Sequence, residues 1–128
     1  MLSHQPPFTN SKTVNDDLNV QKYFLRSFNA SKKANLFLSG HSHSYEHFFK
    51  NGKHYVISGG GGGPRQKVDI SSDKKHRDLF NYNEIRPLHY LKIKLKENYL
   101  MIQMIAWDGY QWKKEDEFDI YHSNYISE

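Results

Sequence analysis

The sequence predicts an α/β fold in which a β-α-β unit is followed by antiparallel hairpins and three closing strands. Three observations carry that reading. The apolar run Leu36-Phe37-Leu38 has the length of a buried strand and empties into Gly40 and the imidazoles of His41 and His43. Upstream of it, apolar residues at helical spacing separate the run from an earlier segment ending at His4, which is the pattern of a crossover between parallel strands. Downstream, Asn51-Gly52 and Asp108-Gly109 sit between alternating apolar runs and mark tight turns.

Taken in order, the chain opens with a very short strand before His4, and Pro6 and Pro7 then restrict the backbone and hold Gln5 extended. A helix follows. Asn15 is its expected N-cap, and Asp16 and Asp17 suit the positive end of the helix dipole. Val20, Phe24, Leu25 and Phe28 form its apolar face, and Lys32 and Lys33 lie near its carboxyl end. The next strand spans residues 35–39. Strand, helix, strand places His4 and the pair His41/His43 at the carboxyl ends of neighbouring strands, the edge where open α/β sheets collect ligands. Two residues apart, His41 and His43 do not share a helix face, but past a strand end they can converge on one point or on two metals.

Residues 45–50 and 53–58 flank Asn51-Gly52 as a hairpin. The five glycines 59–63 before Pro64 do not fit a nucleotide-binding loop, because no G-x-G-x-x-G, no following Lys-Ser/Thr and no helix accompanies them. Two readings stand for this run: a flexible turn, or a loop whose missing side chains let it approach a metal site. Residues 65–87 read as a long surface loop with a short helical turn, and Lys74-Lys75-His76-Arg77 as a solvated face. Leu91, Ile93 and Leu95 alternate with Lys92, Lys94 and Lys96 as a half-buried strand, and Tyr99–Trp107 is apolar enough to be central. The last strand is expected to start at residues 110–113 and continue through Phe118 and Ile120, with the aromatics filling a sheet-on-sheet core.

Composition limits the function. The chain has 128 residues, nine Tyr, eight Phe and no Cys, so it holds a modest core but neither a disulfide framework nor a thiolate metal site. No apolar stretch approaches the roughly 20 residues of a membrane helix, and Met1 does not begin a signal peptide; compartment stays open, export of a longer protein included. The formal charge of +4 is interleaved, with no basic stripe carrying aromatics, which argues against nucleic acid as a partner.

The stretch His4-Gln5-Pro6-Pro7-Phe8, the helix, Gly40-His41-Ser42-His43-Ser44-Tyr45-Glu46 and the glycine-rich loop after a hairpin together resemble the calcineurin-like metallophosphoesterases. The nearest likeness is to the branch that includes the purple acid phosphatases. Specific motifs carry it from His4 to about residue 63; beyond that it is architectural. The resemblance implies a two-sheet α/β/β/α sandwich with a dinuclear metal centre at the strand ends. It implies that His4 and His41 ligate the second metal and His43 the first, the ions being zinc, manganese or iron. Imidazole nitrogen suits all of these, and paired metals suit in-line displacement on phosphorus by activated water.

The family's other ligands come from Asp-x-His, Gly-Asp and Gly-Asn-His-Asp/Glu motifs, and this sequence contains none of them. No bridging carboxylate and no catalytic acid can be assigned. Residues 1–128 therefore read as the carboxyl-terminal half of the domain, with Met1 an internal residue of a longer protein or the start of a shifted frame. The expected partners are a phosphate-ester substrate and the amino-terminal half. The expected function is metal-dependent phosphate-ester hydrolysis with this chain inactive alone; the alternative is a non-catalytic remnant or interaction module. His47 replaces an Arg common in relatives, Tyr45 and Glu46 are read as packing and strand-edge hydrogen-bonding residues, and Arg65 as a phosphate contact from the glycine-rich loop. His54, His76, His89 and His122 are read as structural or surface histidines.

Overall fold

The computed structural model describes residues 1–121, so His122 lies outside the described residues. Strands β1 (Leu2–Ser3), β2 (Leu36–Ser39), β3 (Tyr45–Lys50) and β4 (Lys53–Ser58) form one sheet in the order β1-β2-β4-β3. β1, β2 and β4 run parallel and β3 is antiparallel to β4. β5 (His89–Leu95), β6 (Tyr99–Trp107) and β7 (Trp112–Tyr121) form a second, antiparallel sheet with β6 in the middle. The expected fold class holds, including the parallel β1–helix–β2 crossover and the hairpin over Asn51-Gly52.

Strand alternation sorts the core into two layers. Phe37, Phe48, Tyr55 and Ile57 face the helix and pack on Val20, Leu25 and Phe28. Tyr45 and Val56 face the second sheet and meet Met104 and Ala106, with Leu36, Leu38, Leu91 and Phe118 at the margin. The order is helix, sheet, sheet. Among the described residues no helix covers the outer face of the second sheet, and none is long and apolar enough to cross a membrane.

The helix, α1, covers residues 18–30 and differs from expectation in two ways. Its N-cap is Asp17, whose carboxylate accepts from the Val20 N–H at 2.8 Å; Asn15 lies outside. Asp16 instead accepts from the Thr9 N–H and pairs with His76. The helix is α over Leu18–Val20, π over Gln21–Leu25 and α again over Arg26–Ala30. The wider π turn brings Val20 and Leu25, five apart, onto one face with Phe28, and leaves Phe24 49% exposed.

Four other expectations are corrected. Residues 65–87 contain no helical turn and are not merely a surface loop: Val68, Phe80 and Arg86 are buried, and bridges Ser11↔Val68 and Lys67↔Ile85 pin the segment. Nor is residues 74–77 a wholly solvated run, because His76 packs on Phe8 and Phe48 and exchanges backbone hydrogen bonds with the Asn10 amide. On β5 only the first half is covered, while Ile93 and Leu95 are 41% and 76% exposed. Finally, Tyr110 belongs to the turn, where Asp108 accepts from the N–H groups of Tyr110 and Gln111, and β7 begins at Trp112.

Candidate metal centre

Two loops leave the parallel strands side by side. The first runs from His4 to Asn10 after β1, the second from Gly40 to Ser44 after β2. The Gly40 N–H donates to the His4 carbonyl at 3.1 Å, so the strand pairing continues one step into the loops. His41 takes a left-handed backbone with φ +61°, rare for a residue with a β-carbon. That turn aims its ring at His4, and His4 Nε2 lies 3.0 Å from His41 Nδ1, the rings edge-on.

His43 stands apart from this pair. Its Nδ1 lies 2.8 Å from the Pro64 carbonyl, which can only accept, so the proton sits on Nδ1 and the Nε2 lone pair is free. Its backbone N–H donates to the Gln66 side chain. The glycine run makes this packing possible. A β-carbon on Gly63 would lie 2.5 Å from His43 Cε1, and one on Gly59 would lie 2.0 Å from the Ser42 carbonyl. Of the two readings of that run, close approach describes Gly59 and Gly63, while Gly61 has open space around it.

Beneath the imidazoles sits Glu46, fully buried. One carboxylate oxygen accepts from Thr9 Oγ1 and Ser44 Oγ, both at 2.9 Å, and the other from the Asn10 N–H at 2.7 Å. Ser42 Oγ lies 2.8 Å from Ser44 Oγ and completes the chain of hydroxyls. Burial pushes the Glu46 carboxyl up from its ordinary range, and the hydrogen bonds from Asn10, Thr9 and Ser44 oppose that. The sequence reading assigns Glu46 packing and hydrogen bonding but does not single out its partners Thr9, Ser42 and Ser44. The available signal was the run of hydroxyls Ser42 and Ser44 leading into the carboxylate of Glu46, which can hydrogen-bond to one another at short range.

Among the described residues, His47, His54 and His89 make contacts away from these loops. His47 is buried, meets His54 Nδ1 at 2.9 Å through Nε2 and stacks on Phe118. Burial brings its pKa down to about 4, helped by the neighbouring His54. His89 is buried beside the Pro87 carbonyl and Ser58. Tyr45 is buried and donates to Asp116. Arg65 is exposed next to Pro64. Arg86 pairs with Asp78 at 2.8 Å and donates to the Phe80 carbonyl, deep in the interior.

The donor chemistry can be weighed against a metal. Two nitrogens bound to one ion at about 2.0–2.1 Å stand roughly 3 Å apart, which is the spacing of the His4 and His41 nitrogens. The spacing fits one ion, which would replace the hydrogen bond that the two nitrogens share. Among the described residues no group of three or more His, Asp or Glu converges, so the set does not fit a carboxylate-bridged pair of metals by itself.

No protein-family model and no curated protein matches this sequence. Among solved structures the chain is similar to GAP50, the anchor in the inner membrane complex of Plasmodium, with TM-score 0.66 and 17% identity over 88% of this chain and 34% of that one. It is also similar to Vacuolar Protein Sorting 29 from Cryptosporidium parvum, with TM-score 0.50 and 16% identity over 83% of this chain and 45% of that one. The chain thus spans less than half the length of either. These likenesses concern the fold, which is compatible with that of the calcineurin-like metallophosphoesterases.

Proposed function

We propose that the chain, residues 1–128, is the carboxyl-terminal part of a calcineurin-like metallophosphoesterase domain that acts as an interaction module and does not hydrolyse phosphate esters by itself. The observation that supports this most is the open side of the sandwich. β1 and β5 are both edge strands, and apolar side chains lie along both. A cavity of about 290 Å³ sets Leu2, Leu38 and Leu91 among Ser3, Ser39 and Ser58, and one of about 350 Å³ sets Met1, Leu36, Ile93 and Leu100 beside Lys33 and Asn35. Leu2 is 77% exposed, as Leu95 nearly is. Unpaired edges beside exposed apolar residues favour added polypeptide, and the motif-bearing amino-terminal half is the partner such edges would take.

The test is sedimentation with an apolar dye. The chain should bind the dye and associate with rising concentration, and Ile93→Lys/Leu95→Lys should suppress both. A monomer at all concentrations that leaves the dye dark would overturn the reading, as would robust phosphatase turnover that His43→Ala abolishes.

The spacing of His4 and His41 favours a second reading, half of a metal-dependent phosphoesterase site of the purple acid phosphatase-like branch. His4 and His41 would hold one ion and His43, with its free Nε2, another. Zinc, manganese or iron bound there would supply Lewis acidity towards a phosphoryl oxygen. The chain's own part is to present three imidazoles at one strand edge, the Pro64 carbonyl fixing the His43 tautomer. The bridging carboxylate and the phosphate-ester contacts would come from the amino-terminal half.

A further inference from the structure

We propose that Glu46 is a positioning residue that holds the His4 loop against the His41 loop and thereby sets the separation of the two imidazoles; this rests on the reading that His4 and His41 share an ion. The two rings belong to different loops, tied near the rings by the Gly40 N–H to the His4 carbonyl. One bond is a hinge. A fixed distance needs a second tie away from the first, and Glu46 supplies it from β3. Its carboxylate takes Thr9 and Asn10 from the far end of the first loop and Ser44 from the second, while Ser42 is bound to Ser44.

The choice of partners indicates positioning rather than charge pairing. A buried carboxylate whose task is only to fill the interior is commonly neutralised by Arg or Lys, as Asp78 is by Arg86 here. Glu46 instead has neutral donors drawn from two loops, Thr9 and Asn10 on one and Ser44 and the more distant Ser42 on the other. Ser42 is also fixed from the other side, where Gly59 leaves no room for a β-carbon. The residue between the two histidines is therefore clamped between β3 and the glycine run, and its neighbours must project away.

Glutamine separates the two roles. In Glu46→Gln the amide oxygen can accept from the Asn10 N–H, and the Thr9 and Ser44 hydroxyls can turn to accept from its NH₂. Glu46→Ala removes the acceptor that the two loops share and leaves the Asn10 N–H buried without a partner, while the Ser44 hydroxyl keeps only Ser42. The experiment titrates cobalt(II) into the full chain, followed by its visible spectrum, and reads the His4 and His41 ring ¹⁵N signals without metal. Glu46→Ala, shown by circular dichroism to be folded at low temperature, should lose cobalt affinity tenfold or more and alter both ring signals, with the His43 signal unmoved. Glu46→Gln should stay clearly short of the roughly tenfold loss that marks a missing outer partner. Should Glu46→Ala not fold, Thr9→Val with Ser44→Ala cuts the two hydroxyl arms and is read in the same way. Unchanged cobalt affinity and ring signals in the folded variant would overturn the proposal. Absence of cobalt binding by the parent would remove the shared-ion reading, and the ring signals alone would then decide whether Glu46 sets the spacing.

Discussion

His4 Nε2 lies 3.0 Å from His41 Nδ1 although the two residues are 37 positions apart in the chain. A single ion between them is expected to be held weakly, because two neutral nitrogens supply neither the charge nor the coordination number of a closed site. Zinc competition should show His4→Ala and His41→Ala each lowering affinity at least tenfold, the scale of a lost supporting partner or more. His43→Ala should change it much less. Equal losses from all three would mean one shared site, contrary to the geometry.

Gly59 and Gly61 are two residues apart and should respond oppositely to the same change. A β-carbon on Gly59 meets the Ser42 carbonyl at 2.0 Å, whereas nothing lies within 4 Å of one on Gly61. Gly59→Ala is expected to cost about 2 kcal/mol or more through forced backbone movement. Gly61→Ala should be neutral in urea unfolding, and matching midpoints for the two variants would refute the close-approach account.

The His47 imidazole is held neutral by burial, with its pKa brought down to about 4 from 6.5. The unfolded chain takes up that proton as pH falls below about 6.5, the folded chain only near 4, so the unfolded state gains. This group's contribution is complete above pH 6.5 and is lost towards pH 4, by about 3 kcal/mol. His54 is lowered by burial and acts in the same direction. The buried carboxyls of Glu46 and Asp78 are raised, and their contributions fade instead as pH rises through the folded values. The measurement is thus a difference. The pH dependence of unfolding for His47→Phe, which keeps a ring against Phe118, should be flatter than the parent's between pH 6.5 and 4. Parallel curves would show that His47 does not titrate on unfolding.

Arg86 and Asp78 form an ion pair with side chains 2% and 4% exposed. Removing one partner leaves the other charge in the interior, so Arg86→Met should cost about 3–5 kcal/mol. Asp78 also accepts from the N–H groups of His47 and Phe80, which ties the pair to β3. A loss under about 1 kcal/mol at unchanged denaturant slope would contradict this assignment.

The local signals explain what could be read from sequence. Asn51 and Gly52 have φ of +51° and +74°, the left-handed values that a two-residue hairpin turn demands, so the residue types announce the turn. His4 and His41 follow apolar strands joined by a crossover helix, and that topology places them together. The helix face was misread at Phe24 because a π turn shifts the period, and no single residue type encodes that shift. Segment 65–87 buries Val68, Phe80 and Arg86 at no regular spacing, and its partners lie elsewhere in the chain. The exposure of Ile93 and Leu95 depends on what lies over β5, which alternation along β5 cannot report.

The pairing of β1 with β2 has a kinetic consequence. The β3–β4 hairpin closes over two residues, whereas β1 meets β2 through only Leu2↔Leu38 and Ser3↔Ser39, across the whole helix. Closing the longer loop costs more chain entropy for fewer bonds, so the hairpin forms early and β1 docks late. The two imidazoles then meet only after the barrier has been crossed. An ion that needs both would leave the refolding rate unchanged and slow unfolding instead, acting as a latch on the finished molecule and not as a template for it.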